Sequence, residues 1–146
     1  MKRKNSIRII FTLCILPLIF FAFTTQDNPW QKEQLLEPNT LVSILNNPKA
    51  KKPIILNVGP TELIKSAKSM GICSTQEGIE QFKNYVDKLP LNQDLVIYCG
   101  CCKLATCPNI KKTMLYLQLR GYTNYKLLDL PTSLEVDWIK KGYPMD

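Results

Sequence analysis

The chain of 146 residues contains no histidine. That excludes any Cys–His or Ser–His hydrolase built within one chain, because the general base is missing. It also excludes zinc sites that need imidazole. Long apolar runs are absent too. The longest uncharged, mostly apolar stretch is Ile9 to Phe23, broken by Pro17. A membrane helix needs about 20 such residues. No internal repeat, low-complexity tract or dense basic run with interleaved aromatics occurs. Nucleic acid is therefore not an expected partner.

What is present begins with a leader. Lys2, Arg3, Lys4 and Arg8 precede the apolar run, and Ala22 and Thr24 fit a cleavage site. Residues 1–24 are expected to be a signal peptide, or a retained N-terminal membrane anchor, of an exported protein in the periplasm or cell envelope. The net charge of +7 overstates basicity. Without the leader, 15 of the 19 basic residues face 12 acidic ones, a surplus of three. A small anionic substrate is compatible with that balance.

Four of the six cysteines crowd into nine residues, Cys99-Gly100-Cys101-Cys102-Lys103-Leu104-Ala105-Thr106-Cys107. They follow the apolar run Leu95 to Tyr98 and precede Pro108-Asn109-Ile110, which reads as a helix start. Cys99 is thus expected at a strand end, facing a helix N-terminus that favours a thiolate. Lys103 adds positive charge. The backbone N–H groups of Gly100, Lys103, Leu104, Ala105 and Thr106 are the candidates for holding an anionic sulfur. Cys101 and Cys102 can take sulfur from Cys99 or resolve it as a disulfide, whereas Cys107 divides evenly between a site and a packing role. Cys73 has no motif and reads as packing. Removing the leader removes Cys14 and leaves five cysteines, an odd number with at least one unpaired within a monomer.

Other readings of the cluster are weaker. Cys99 and Cys102 have the Cys-x-x-Cys spacing of thiol–disulfide redox proteins. Thiolates suit zinc or copper(I), but there is no second knuckle, so no metal is assigned. A cysteine phosphatase needs an arginine clamp, and the loop has none. No cofactor is called for.

Along the rest of the chain, residues 25–34 read as a linker. Pro38 opens a helix that stops at Asn46-Asn47-Pro48. Pro53 to Val58 reads as a strand, Glu62 to Lys68 as a weak helix, and Gln76 to Leu89 as an amphipathic helix. Leu95 to Tyr98 is a second strand, Pro108 to Arg120 a helix and Tyr125 to Leu130 a third strand. Leu134 to Lys141 is the last helix. Alternating strands and helices predict an α/β fold, a parallel sheet with helices on both faces.

The stretch Val96-Ile97-Tyr98-Cys99-Gly100-Cys101-Cys102, with Cys107-Pro108-Asn109 after it, resembles the rhodanese-like domain family, in a subgroup with a cysteine-rich active loop. Ile55 to Val58 is similar to that family's first core strand, and Asp137 to Pro144 to its tail. The resemblance covers residues 35–144 and implies a single domain, monomeric. It also implies a sulfurtransferase or sulfur carrier, with Cys99 as the persulfide-forming residue. Its partners would be a small anionic sulfur donor or a protein thiol or persulfide. A module that keeps the fold without turnover is the non-enzymatic alternative. The family's first core strand ends Asp-x-Arg, where this chain has Asn57, Val58 and Gly59.

Overall fold

A computed structural model describes residues 29–146. The expected leader, Cys14 and the first part of the expected linker lie outside these residues. Among the described residues, no helix is long and apolar enough to cross a membrane.

Five strands form one wholly parallel sheet: β1 (Leu35–Leu36), β2 (Ile54–Asn57), β3 (Ala67–Ser69), β4 (Leu95–Tyr98) and β5 (Tyr125–Leu128). Their order is β1-β5-β4-β2-β3. Central β4 pairs Leu95, Val96, Ile97 and Tyr98 with Ile54, Ile55, Leu56 and Asn57 of β2. All four β4 residues are buried, because helices cover both faces and leave no position for a polar side chain.

Side chains alternate across the pleat and so feed two cores. Leu56, Leu95, Ile97 and Leu127 face one side. There they meet α2 (Gln76–Val86) through Phe82 and Val86, and α3 (Pro108–Arg120) through Ile110, Met114 and Leu117. Ile55, Val96, Tyr98 and Leu128 face the other side. Their partners are Leu41 and Leu45 of α1 (Pro38–Asn46), with Leu134 and Trp138 from the C-terminal end. Each fully buried Leu or Ile contributes about 1.5–3 kcal/mol.

The ends of the helices follow from local chemistry. Thr75 caps α2 by accepting from the Gly78 N–H at 3.2 Å. Pro108 occupies the first position of α3, and Gly121 ends that helix with φ 81°.

Three expectations need correction. Glu62 to Lys68 is not helical: Ile64 bridges to Met145, and Ala67–Ser69 forms the edge strand β3 beside β2. Tertiary pairing there overrides a weak local preference. The last helix is shorter than expected. Here α4 covers Leu134–Asp137, and Ile139–Lys141 is a 3-10 turn closed by Gly142 at φ 69°. Within the expected linker, Lys32–Gln34 makes a 3-10 turn and Trp30 packs against the first core.

Burial makes the fold sensitive to alkali. Cys73 is fully buried, its thiol pointing at the Met70, Gly71 and Gly78 carbonyls, and burial pushes its pKa up to about 12. Burial also pushes the Tyr98 hydroxyl up to about 12, while it accepts from the Ile64 N–H at 3.0 Å. The unfolded chain loses these protons from about pH 9 upward, where the native state keeps them. The unfolded state then binds fewer protons, so stability falls with rising pH between about 9 and 12. Thermal melts from pH 8 to 11 should show this decline, with a shallower slope in Cys73→Ala. Parallel slopes in the two proteins would refute the role of Cys73.

Candidate functional site

In a parallel sheet, a crevice opens where neighbouring strands send their connections in opposite directions. Here β4 leads through α3 to β5 on one side, and β2 leads to β3 on the other. The carboxyl ends of β2 and β4 therefore part, and Gly59 and Cys99 stand at that point. The Val58 N–H still donates to the Tyr98 carbonyl at 2.9 Å, so the two strand ends stay paired up to the crevice.

Gly59 leaves the room that the Cys99 sulfur occupies. A Cβ on Gly59 would lie 2.3 Å from the Cys99 Sγ. Buried Asn57 holds this turn. Its Oδ1 accepts from the Gly59 N–H at 2.8 Å, and its Nδ2 donates to the Thr61 carbonyl at 2.8 Å. The Thr61 hydroxyl donates in turn to the Cys99 carbonyl at 2.6 Å. Asn57 thus orients the crevice wall as well as making a turn.

The cysteine loop folds over this point. Gly100 adopts φ 71°, and its carbonyl accepts from the Leu134 N–H at 2.9 Å. A Cβ there would lie 2.5 Å from the Leu134 Cβ, so the loop passes close against α4. The Cys99 Sγ is 3.0 Å from the Cys101 Sγ, and the Cys101 Sγ is 3.4 Å from the Cys102 Sγ. Cys99 is 2% exposed, whereas Cys101 is exposed and Cys102 half-buried. All five described cysteines are free. The sulfurs of Cys99, Cys101 and Cys107 lie within 4.8 Å of one another.

Asn109, the second residue of α3, closes the site from the helix side. It is buried, and its Nδ2 donates to the Cys99 Sγ at 3.3 Å and reaches the Cys101 Sγ at 3.8 Å. Its Oδ1 accepts from the Ser74 N–H at 2.6 Å. The amide is therefore held in one orientation, with its donors toward sulfur.

Charge is unevenly spread over the thiols. Cys107 is pulled down, first by the neighbouring Cys99 thiol and then by the nearby Ile110 N–H. It stands at the N-cap of α3 without a formed capping bond, but the open N–H groups there favour its thiolate. Contrary to the expectation of a favoured Cys99 thiolate, Cys99 is pushed up, first by its neighbour Cys107, then by burial and by Cys101, and the thiol favoured at the helix start is Cys107. Burial also pushes Cys102 up.

The structure brings together Cys99, Gly100, Cys101, Cys102 and Cys107. It places the remaining loop residues less closely. Lys103 is exposed, and its carbonyl accepts from the Thr106 N–H at 3.1 Å. Leu104, Ala105 and Thr106 form a 3-10 turn, with Leu104 buried in the first core. The Leu104 carbonyl accepts from the Trp30 indole at 3.4 Å. Lys112, the fifth residue of α3, donates to the Ser74 carbonyl. Gly59 and Asn109 were not foreseen as site residues. The signal for Asn109 was a polar residue one position inside a helix that begins at a cysteine.

No family model and no curated protein matches the chain. Solved structures do. The Alr3790 protein from Anabaena sp. aligns with a TM-score of 0.54 at 18% identity, over 76% of this chain and 90% of that one. The anaerobic ergothioneine biosynthesis enzyme from Chlorobium limicola, in complex with trimethyl histidine, aligns with a TM-score of 0.53 at 18% identity. That match covers 77% of this chain and 28% of the enzyme. A form of EanB carrying a cysteine persulfide, in a tetrahedral intermediate state with ergothioneine, gives 0.52 at 19% identity, over 76% of this chain and 27% of that one. The chain thus spans about a quarter of the length of these enzymes. At such identities the likeness establishes the α/β fold.

Proposed function

We propose that this chain is a rhodanese-like sulfurtransferase or sulfur carrier that holds sulfane sulfur as a persulfide on Cys99. The observation that carries the reading is the placing of the Cys99 sulfur. It lies at the β2–β4 crevice, 3.3 Å from the Asn109 amide and 3.0 Å beneath the exposed Cys101 sulfur. The cysteine persulfide carried by one structural neighbour, a form of EanB, supports the same chemical class.

With a small anionic donor such as thiosulfate, Cys99 reacts as its thiolate, its proton passing to solvent. The Cys99 sulfur then attacks the sulfane sulfur. A new S–S bond forms, the donor's S–S bond breaks, and sulfite leaves with the electron pair. An acceptor thiolate next attacks the outer sulfur and restores Cys99, a two-step covalent cycle. The Asn109 amide, already 3.3 Å from the Cys99 sulfur, stabilises the anionic persulfide.

A second reading has a specific contact in its favour. The Cys101 thiolate can attack the inner sulfur of a Cys99 persulfide, expel hydrosulfide and leave a Cys99–Cys101 disulfide. The 3.0 Å contact favours Cys101 over Cys102 as the resolving thiol.

Incubation of the reduced chain with thiosulfate should add the mass of one sulfur to the peptide bearing Cys99. Cys99→Ser should show no gain. An unloaded wild-type protein, or equal loading of the variant, would overturn the proposal.

A further inference from the structure

We propose that Cys99, Cys101 and Cys107 form a three-thiolate site for one copper(I) ion. Their sulfurs lie within 4.8 Å of one another. A metal–sulfur bond of about 2.3 Å in a flat three-coordinate arrangement separates the sulfurs by about 4 Å, inside that limit. The Cys99–Cys101 pair, at 3.0 Å, must open by about an ångström to accept the ion. Cys101 is exposed and on the loop, so it is free to make that movement.

The donor set selects the metal. Three sulfurs converge without an imidazole or a carboxylate, since the chain lacks histidine and the group holds only cysteines. Soft thiolates favour copper(I), and hard oxygen-seeking ions are excluded. Structural zinc takes four ligands, one more than this group supplies.

The scaffold is prearranged. Cys99 is fixed by the end of β4 and Cys107 by the start of α3, and both are buried. Cys101 forms the solvent-facing opening, and the Cys102 sulfur, 3.4 Å away, offers an entering ion a first foothold. The Asn109 amide, at 3.3 Å from the Cys99 Sγ and 3.8 Å from the Cys101 Sγ, orients two of the three ligands from outside the coordination sphere. Binding replaces the protons still held on the three sulfurs, which pass to solvent. No electron moves, because the metal arrives as copper(I).

This site does not rest on the sulfur-transfer reading, but it uses the same Cys99 sulfur. The ion and a persulfide are therefore mutually exclusive. The test is an anaerobic titration of the reduced full chain with copper(I) against a coloured chelator. One ion per chain and thiolate-to-copper charge-transfer absorption in the near ultraviolet are expected. Cys101→Ser and Cys107→Ser should each weaken binding by about 100-fold or more, since loss of even an outer-sphere partner costs about 10–100-fold. Cys73→Ala should bind as wild type. Circular dichroism checks that each variant is folded, and the exposed Cys101 keeps the test decisive if Cys107→Ser does not fold. No copper retained against the chelator, wild-type affinity in Cys101→Ser, or a four-sulfur zinc complex of equal affinity that needs Cys102 would each overturn the site. Copper failure with intact sulfur loading refutes the metal site alone. Loading failure with intact copper binding refutes the persulfide alone.

Discussion

Gly59→Ala is expected to slow sulfur loading of Cys99 by about 100-fold or more, the penalty for a displacement of about 1 Å at a reacting atom. The added methyl carbon would sit 2.3 Å from the Cys99 Sγ and 3.3 Å from the Cys99 carbonyl oxygen. Neither neighbour can yield cheaply. The carbonyl is held by the Thr61 hydroxyl, and the buried sulfur is backed by the Asn109 amide, itself fixed by the Ser74 N–H. Overpacking of this kind also costs about 1–3 kcal/mol of stability. Loading kinetics by mass spectrometry, with a thermal melt of the same sample, separates the two effects. Loading at the wild-type rate would show that the crevice tolerates the methyl group. Adding Cys99→Ala to Gly59→Ala removes the colliding sulfur, so the double variant should recover melting temperature relative to Gly59→Ala. Failure to recover would show that the clash is not the cause.

Trp138→Ala is expected to cost about 3–5 kcal/mol, as for other large buried aromatics. Trp138 is fully buried in the second core, beside Leu41, Tyr98 and Leu134. Tyr143 meets it edge-on at 5.2 Å, and its indole N–H donates to the Pro144 carbonyl at 3.1 Å. One side chain thus joins the short helix α4, the C-terminal tail and the sheet. The loss is a large share of the roughly 5–15 kcal/mol that holds a domain folded, and the melting temperature should fall by roughly 10 °C or more. A loss below about 1 kcal/mol would mean that the core closes over the gap. The effect reaches the site, because the Leu134 N–H at the start of α4 anchors the Gly100 carbonyl.

The elements legible in the sequence were those whose pattern is long or sharply punctuated. Pro108 and Gly121 bracket α3, Pro38 opens α1, and the Leu95–Tyr98 run is unbroken. The strands β1 and β3 span two and three residues. Neither is long enough to show a period, and Ala67-Lys68-Ser69 has little strand preference of its own. Their pairing with β5 and β2 comes from register set elsewhere in the sheet.

Within the site the same division holds. By itself, the sequence determined that thiols would gather between a strand end and a helix start, because both flanking elements are written in local residue patterns. It also ruled out a histidine partner by composition. Only the tertiary structure decided how the sulfurs are arranged: Cys101 against Cys99, Cys107 within the same group, and Leu104 buried in the first core. It alone placed Gly59 against the Cys99 sulfur and aimed the Asn109 amide at it, across gaps of 40 and 10 residues. The physical reason is that spacing along the chain sets which groups lie near one another only within one element. Distances between elements depend on how the sheet and helices pack, and those distances govern which sulfur is reached, shielded or able to bind a metal.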